Sequence, residues 1–499
     1  MPIDPRTPVL VGVGQVARHP SQVADCPEPA ALMEAAARQA GTDSGTGDAL
    51  LRRADSVQVV ESMSFRYVNA PLAVATRLGA EPRETVQSAV GGNSPQQLVN
   101  QASLAILAGR SDVVLIVGAE AIHSRHISHR TGQPLDWQPQ PEGTPPLDRV
   151  VGIARSGTSD AEAGRSLAMP LQVYPVFETA LRIAAGESVV AHQARVAQLW
   201  ASFSEVATRN PNAWDQRLHT AEEIATPGPK NRWIGWPYTK LMVAYAGVDM
   251  AAALLLTSVE AARAAGVPED RWVFPWSGAD SHDHWFVSDR IDLCSSPSIA
   301  ANGRAGLALA GIGIDDVAHV DLYSCFPSAV QMGAAALGLA TDDPARPLTV
   351  TGGLTFGGGP LNDYVTHSIA SMVDLLRAEP ESVGLVTALG WYATKHSLGV
   401  YSSRPPDRAF AHAHPQDEVD ASPSRQPAEG YAGPVTIEAW SVMHEREGEP
   451  SLGIAACLTP DGRRTWANTR KPDLLEALKG DTLDHHAADL LPDGELEIS

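Results

Sequence analysis

Cysteine is scarce in this chain of 499 residues, with Cys26, Cys294, Cys325 and Cys457 the only four. They are widely scattered, which excludes a disulfide framework and a paired CxxC zinc site. Long apolar runs are missing as well. The run at 251–257 is short and is soon followed by Glu260 and Arg263, too little to span a bilayer. Positive charge is in deficit, with 37 Lys and Arg against 58 Asp and Glu, for a net charge of −21. Nonspecific nucleic-acid binding depends on cations that neutralise phosphates, so that function class is disfavoured. Docking on anionic membranes is disfavoured for the same reason. The opening MPIDPRTPVLVGVGQ sets Pro, Asp and Arg ahead of its apolar run, unlike a signal peptide, and a cytoplasmic location is the expectation.

What is present is a globular composition, 44% hydrophobic and 19% charged. The length predicts two to four domains at about 100–200 residues each. Short apolar runs ending in glycine predict strands over 9–13, 57–60, 85–90 and 113–117, with helices over 30–40 and 71–78 between them. Gly91-Gly92-Asn93-Ser94-Pro95 is a sharp punctuation. Ser94 suits an N-cap and Pro95 a first helical position, and apolar residues then repeat at helical spacing up to Gly109. Alternating strands and helices predict an α/β layer structure with a mostly parallel sheet. Residues near 121–170 are rich in Gly, Pro and charge and predict a long surface excursion. Helical pattern follows over 175–210. From 317 the rhythm resumes: strand 317–322, helix 328–339, a glycine-rich turn at 352–360, helix 366–377, and strands 384–389 and 399–402. Residues 403–433 are Pro-rich and charged, a linker or surface meander. Strands at 435–442, 451–459 and 464–468, the last two joined at Asp461-Gly462, predict a small β-rich domain.

Several segments in order resemble the thiolase superfamily. TPVLVGVGQ is similar to the first thiolase strand, and VVLIVGAEA (113–121) to the strand ending in Gly-x-Glu. The segment 236–266 resembles the return of the thiolase insert to the core. VDLYSCF (320–326) stands where sterol-carrier-type thiolases have His-Asp-Cys-Phe, and GGLTFGGGPL (352–361) where they have a Gly-His-Pro-Leu motif. KHSLG (395–399) resembles their His-Asn-x-Gly segment. With its extra tail, the chain looks most like the thiolase-like protein type 1 group, which is related to acetyl-CoA acetyltransferases. The resemblance implies two similar α/β halves in a five-layered αβαβα fold. The N-terminal half is expected over 1–120, a loop-domain insert over 121–245, the C-terminal half over 246–403 and an added β-rich domain over 404–499. It also implies CoA or an acyl-CoA as ligand, with no other cofactor, and a homodimer, with a monomer as the alternative.

A thiolase needs a thiolate at a helix N-terminus, a histidine that takes its proton, a second acid/base and oxyanion holes. Here the nucleophile position falls on Val90, or on Gly91 if the register slips by one, and neither can attack a thioester. The Gly-His-Pro histidine is replaced by Gly359. The His-Asp of the His-Asp-Cys-Phe motif becomes Tyr323-Ser324, while Cys325 survives. Cys325 and Tyr323 are therefore the catalytic candidates, weighed against simple core packing. Gly91, Gly92, Asn93, Gly357, Gly358, Gly359 and His396 are the substrate-binding candidates, because glycine lets main-chain N–H groups approach a thioester. His123, His126 and His129 stand three apart, but Arg125 and Arg130 interleave and no metal is expected. Removing members of a cooperative catalytic set costs about 10⁴–10⁶ in rate in the best-studied hydrolase case. Little or no ordinary thiolysis is expected, with binding of CoA esters as the first functional reading. An acyltransferase or carbon–carbon lyase of altered chemistry is the second. A non-catalytic interaction protein whose C-terminal domain docks a protein partner is the third.

Overall fold

The computed structural model describes residues 3–498. Its first sheet runs in the order β1-β8-β4-β2-β3-β5. The strands are β1 (Pro8–Ala17), β2 (Ser56–Val59), β3 (Glu84–Ser88), β4 (Val113–Ala121), β5 (Arg149–Val151) and β8 (Asp249–Ser258). The sheet is mostly parallel, as expected, with five of its six strands running one way and β8 alone reversed. β8 enters from the insert and lies antiparallel between β1 and β4, whereas β4, β2, β3 and β5 are parallel neighbours. Both faces of β4 and β8 are buried, so they read in sequence as unbroken apolar runs without alternation.

Two short strands of the insert, β6 (Trp233–Trp236) and β7 (Tyr238–Thr239), precede β8. The second sheet contains β9 (Phe274–His282), β10 (His319–Asp321), β11 (Val383–Gly390), β12 (Lys395–Ser402) and β13 (Ala411–Ala413), in the order β10-β11-β12-β9-β13. β12 begins at Lys395, four residues before the strand expected from sequence. Its first residues are too polar to show an apolar pattern, yet they pair with Gly390 and His282.

Helices Ser94–Leu107 and Tyr364–Ala378 lie between the two sheets and touch strands of both. Helix Pro29–Asp43 covers the outer face of the first sheet, and helix Pro297–Ala310 covers the second. This is the expected succession of five layers. One apolar cluster fills the inner space from Leu98 and Leu254 to Val320 and Leu385. A second lies under helix Pro29–Asp43.

The region 121–170 is more ordered than its composition implies. It holds helix Ile122–Thr131 as well as β5. That helix buries only Ser124 and Ile127, so no apolar stripe announced it. β5 pairs with β3 and so covers what would otherwise be the free edge of the first sheet. The insert then supplies helices Pro170–Ala185 and Val189–Arg209.

The C-terminal strands β14 (Gly433–His444), β15 (Pro450–Leu458), β16 (Arg464–Thr469), β17 (Ala487–Leu490) and β18 (Leu496–Glu497) form the third sheet. It is joined to the rest of the chain in three ways. β14 pairs with β6 of the insert. Arg182 of the insert bonds Asp484 and Asp481, with its guanidinium 5.6 Å from the Trp440 ring. Arg464, wholly buried, donates to the carbonyls of Val287, Ser288 and Arg290 in the core. Among the described residues no helix is long and apolar enough to cross a membrane.

Candidate functional site

The tip of helix Ser94–Leu107 follows Val90 and Gly91, the two positions where the resemblance would put a nucleophile. Ser94 is not the N-cap. Its hydroxyl turns back to donate to the Ala89 carbonyl at 2.8 Å, which leaves Asn93 at the cap position. The Asn93 side chain does not cap either, and its buried Oδ1 has no hydrogen-bond partner. Gly91 has φ +152°, a conformation that favours glycine, and donates its N–H to Asn362 Oδ1 at 2.9 Å. Gly92 and Asn93 donate their N–H groups to no other group among the described residues.

Lys395, at the start of β12, fills the space beside this tip. Its Nζ lies 2.5 Å from the Val90 carbonyl and 3.4 Å from that of Ile153. A Cβ placed on Gly91 would sit 2.7 Å from that nitrogen and 2.6 Å from Asn93 Oδ1. An ammonium group thus occupies the room that a side chain at Gly91 would need. Burial lowers the Lys395 amine to about 8. The helix N-terminus opposes positive charge in the same direction.

His396, the neighbour proposed from sequence, is carried to the opposite face by the two-residue alternation of the strand. There it bonds Asp283 Oδ2 at 3.1 Å and the Ala393 carbonyl at 3.1 Å. Burial pushes the Asp283 carboxyl up, but His396, Arg290 and the Ser296 hydroxyl outweigh it and hold the group below the usual range. His396 belongs to a buried polar network, away from the helix tip.

Tyr323 reaches the tip from the other side. Its hydroxyl and the Leu389 carbonyl lie against Gly92, where a Cβ would collide with both. Gly92→Ala is therefore expected to cost about 1–3 kcal/mol, as overpacking does, readable as a lowered denaturant midpoint at unchanged slope. Burial raises the Tyr323 hydroxyl well above its usual pKa, with Cys325 adding to the shift. Burial also pushes the Cys325 thiol up to about 12, against a hydrogen bond with Tyr174. Both groups are protonated at neutral pH and can donate hydrogen bonds, but neither is poised as a base. Tyr174 in turn ties the Cys325 segment to the turn after β11, through the Trp391 carbonyl at 2.9 Å and the Ala393 N–H at 2.9 Å.

The glycine turn is brought near the insert rather than opened toward the tip. Gly357 bonds back to the Gly352 carbonyl, and Gly359 donates to the Tyr245 carbonyl at 3.0 Å. Gly358, at φ +108°, packs against Met250 and Trp214. His367, eight residues beyond Gly359, is buried and bonded to Gln15 at 2.9 Å, and burial lowers it to about 3. It stays neutral and supplies no base at the tip.

A cleft of about 740 Å³ opens beside this turn, lined by Trp214, Tyr245, Thr355 and Phe356. Its rim carries Arg217, Lys230, Arg232, Lys240 and Arg446, with Asp215 its one carboxylate. In a chain of net charge −21 that is a local reversal of sign. The inner wall adjoins the Cys325 segment, since Ala244 donates to the Cys325 carbonyl and Tyr245 to that of Leu354, each at 3.0 Å. The sequence hid this cleft because its cations come from 217–240 and 446 and interleave with acids.

A solved structure described as a monomeric SCP2-thiolase-like protein type 1 from Mycobacterium smegmatis matches at 33% identity over 100% of both chains, with a TM-score of 0.84. The chain belongs to the thiolase-like protein type 1 family. The family model for the thiolase-like protein type 1 additional C-terminal domain matches residues 415–495. Two other structures share the fold over about four fifths of the chain. The Ltp2–ChsH2(DUF35) aldolase matches at 20% identity over 81% of this chain and 99% of its own, with a TM-score of 0.57. An acetyl-CoA acetyltransferase from Syntrophomonas wolfei matches at 14% identity over 81% and 100%, with a TM-score of 0.58. No curated protein matches the sequence. Membership in the thiolase-like protein type 1 family agrees with the expectation from the strand and glycine motifs.

Proposed function

We propose that this thiolase-like protein binds CoA esters and does not process them through an acyl-cysteine. The cationic cleft beside the glycine turn carries this reading. CoA bears phosphates at one end and a thioester at the other. Arginine and lysine on the rim suit the phosphates, while Trp214, Tyr245 and Phe356 offer apolar and stacking surface. The inner wall then leads toward Cys325 and Tyr323. A groove of about 700 Å³ along helix Val189–Arg209 mixes Arg195, Arg209 and Arg346 with Glu205, Asp342 and Asp343, and so offers no comparable preference for anions.

Lys240→Ala removes one rim cation far from the packed core. A lost charge-assisted hydrogen bond of about 1.5–3 kcal/mol corresponds to a rise in the Kd for CoA of about 10-fold or more, measured by calorimetry. The affinity should also fall with added salt. No heat at millimolar CoA would remove this reading.

The chain is also proposed to be a monomer. The Mycobacterium smegmatis relative is described as monomeric, which supports this reading. A cytoplasmic location and action in lipid metabolism remain part of the same proposal.

A further inference from the structure

Lys395 has no role in the reading above. The chain contains five lysines among its 37 Lys and Arg. Lys230 and Lys240 stand on the rim of the cleft. Lys471 and Lys479 pair with Glu497 and Glu476 on the C-terminal domain. Lys395 alone of the five is buried, at 4% exposure, and it forms no ion pair among the described residues. An arginine cannot give up its proton; an amine can.

The surroundings of the amine hold an unspent polar group. Asn93, 4% exposed, directs its unpartnered Oδ1 at the same point beside Gly91 that Nζ approaches. Trp391, on the turn that leads into β12, has a buried Nε1 with no partner. The backbone of that turn is strained, with φ +59° at Trp391 and +50° at Ala393. Strain of this kind costs about 1–3 kcal/mol per residue and concentrates at functional sites. Gly157 packs directly on the Trp391 ring, while residues 152–156 before it lie exposed over the amine.

We propose that Lys395 is a nucleophilic amine that condenses with the carbonyl of an aldehyde or ketone ligand to form an imine. The nitrogen lone pair attacks the carbonyl carbon to give a carbinolamine. The oxygen then leaves as water, carrying both amine protons, and a C=N bond replaces C=O. No oxidant or reductant is needed. Asn93 Oδ1, which approaches the same point beside Gly91 as Nζ, is placed to accept a hydrogen bond from the amine. The partially uncharged amine that burial produces is the form this step requires.

The test traps the imine on the full-length protein. The chain is incubated with butanal, and separately with acetoacetyl-CoA, each with cyanoborohydride, and the modified lysine is located by peptide mass spectrometry. Butanal is expected to label Lys395 at least tenfold faster than the exposed Lys471, with a rate that rises through pH 8. Lys395→Arg keeps a cation and donors for the Val90 and Ile153 carbonyls, and should lose that label while the thermal midpoint stays within a few degrees. Acetoacetyl-CoA is expected to leave a reduced adduct on Lys395 that retains the CoA moiety. Butanal labelling without the CoA adduct supports the amine and counts against CoA-ester binding instead. Labelling confined to exposed lysines would overturn the assignment. So would an adduct on Lys395 that has lost CoA, since that is acyl transfer from the thioester and not imine formation.

Discussion

Arg464→Ala is expected to lower the unfolding free energy by about 3–5 kcal/mol, the cost of breaking a buried ion pair from one side. Arg464 is fully buried. It bonds Glu438 through two parallel contacts of 2.7 Å each and also reaches four core carbonyls. Truncation leaves the carboxylate of Glu438 partly buried and unpaired. It also leaves those carbonyls without their donor. The loss is larger than for the exposed pairs of the chain, such as Arg209 with Glu205, which contribute about 0–1 kcal/mol. Urea unfolding of the wild type and the variant measures it. Because Arg464 bridges the C-terminal sheet and the core, both should unfold in one transition in the wild type. A fall of less than about 1 kcal/mol would mean that the bridge is not what joins them. This tight joining also bears on the tail as a partner-docking module. One face of its sheet packs on the core and the other under helix Pro472–Ala477, so any partner is left the outside of that helix and the loops.

The second large effect is a rise in stability with pH that disappears in Lys395→Met. The amine titrates near 8 when folded, against 10.5 as a free side chain. The folded-state value is lowered, so burying the charged form costs stability wherever both states are protonated, that is, below about pH 8. Between about 8 and 10.5 the unfolded chain binds the extra proton and the folded chain does not, and stability increases with pH. Above that window both states are neutral and the cost is gone. The span corresponds to about 3 kcal/mol. The groups facing Lys395 are the Val90 and Ile153 carbonyls and the Asn93 side chain, none of which titrates in this window. The difference between wild type and Lys395→Met should therefore grow by that amount from pH 7 to 10.5. A difference flat with pH would show that the amine is solvated.

Much of the architecture was legible from sequence because it rests on apolar runs and glycine punctuation. Val113–Ala121 is buried on both faces and could hardly be read as anything but a central strand. The helix after Gly91-Gly92 was legible from Pro95 and the spacing of its apolar residues, although its cap was not. A serine beside an asparagine can bond several backbone groups, and only the fold shows that Ser94 turns back to Ala89. The absence of sulfur at the tip was also legible, since it needs only residue identity. Lys395 was not, because its significance depends on strand phase. In the KHSLG segment histidine drew attention, and a one-residue step decides which side chain faces Gly91. Lysine scarcity was the available signal, with five lysines in the whole chain. The cleft was illegible for another reason. Arg217 and Arg446 are far apart in sequence, and an acidic total masks a local cationic surface.

Thiolysis of acetoacetyl-CoA by free CoA, followed as loss of the 3-oxoacyl thioester and compared with Cys325→Ser, tests most directly whether the helix tip has given up sulfur chemistry. With the one nearby thiol held near 12 and His367 neutral and turned to Gln15, no turnover above the uncatalysed rate is expected from either protein. Turnover in the wild type that vanishes in Cys325→Ser would contradict it, and would place a working thiolate where the fold leaves backbone and an amine.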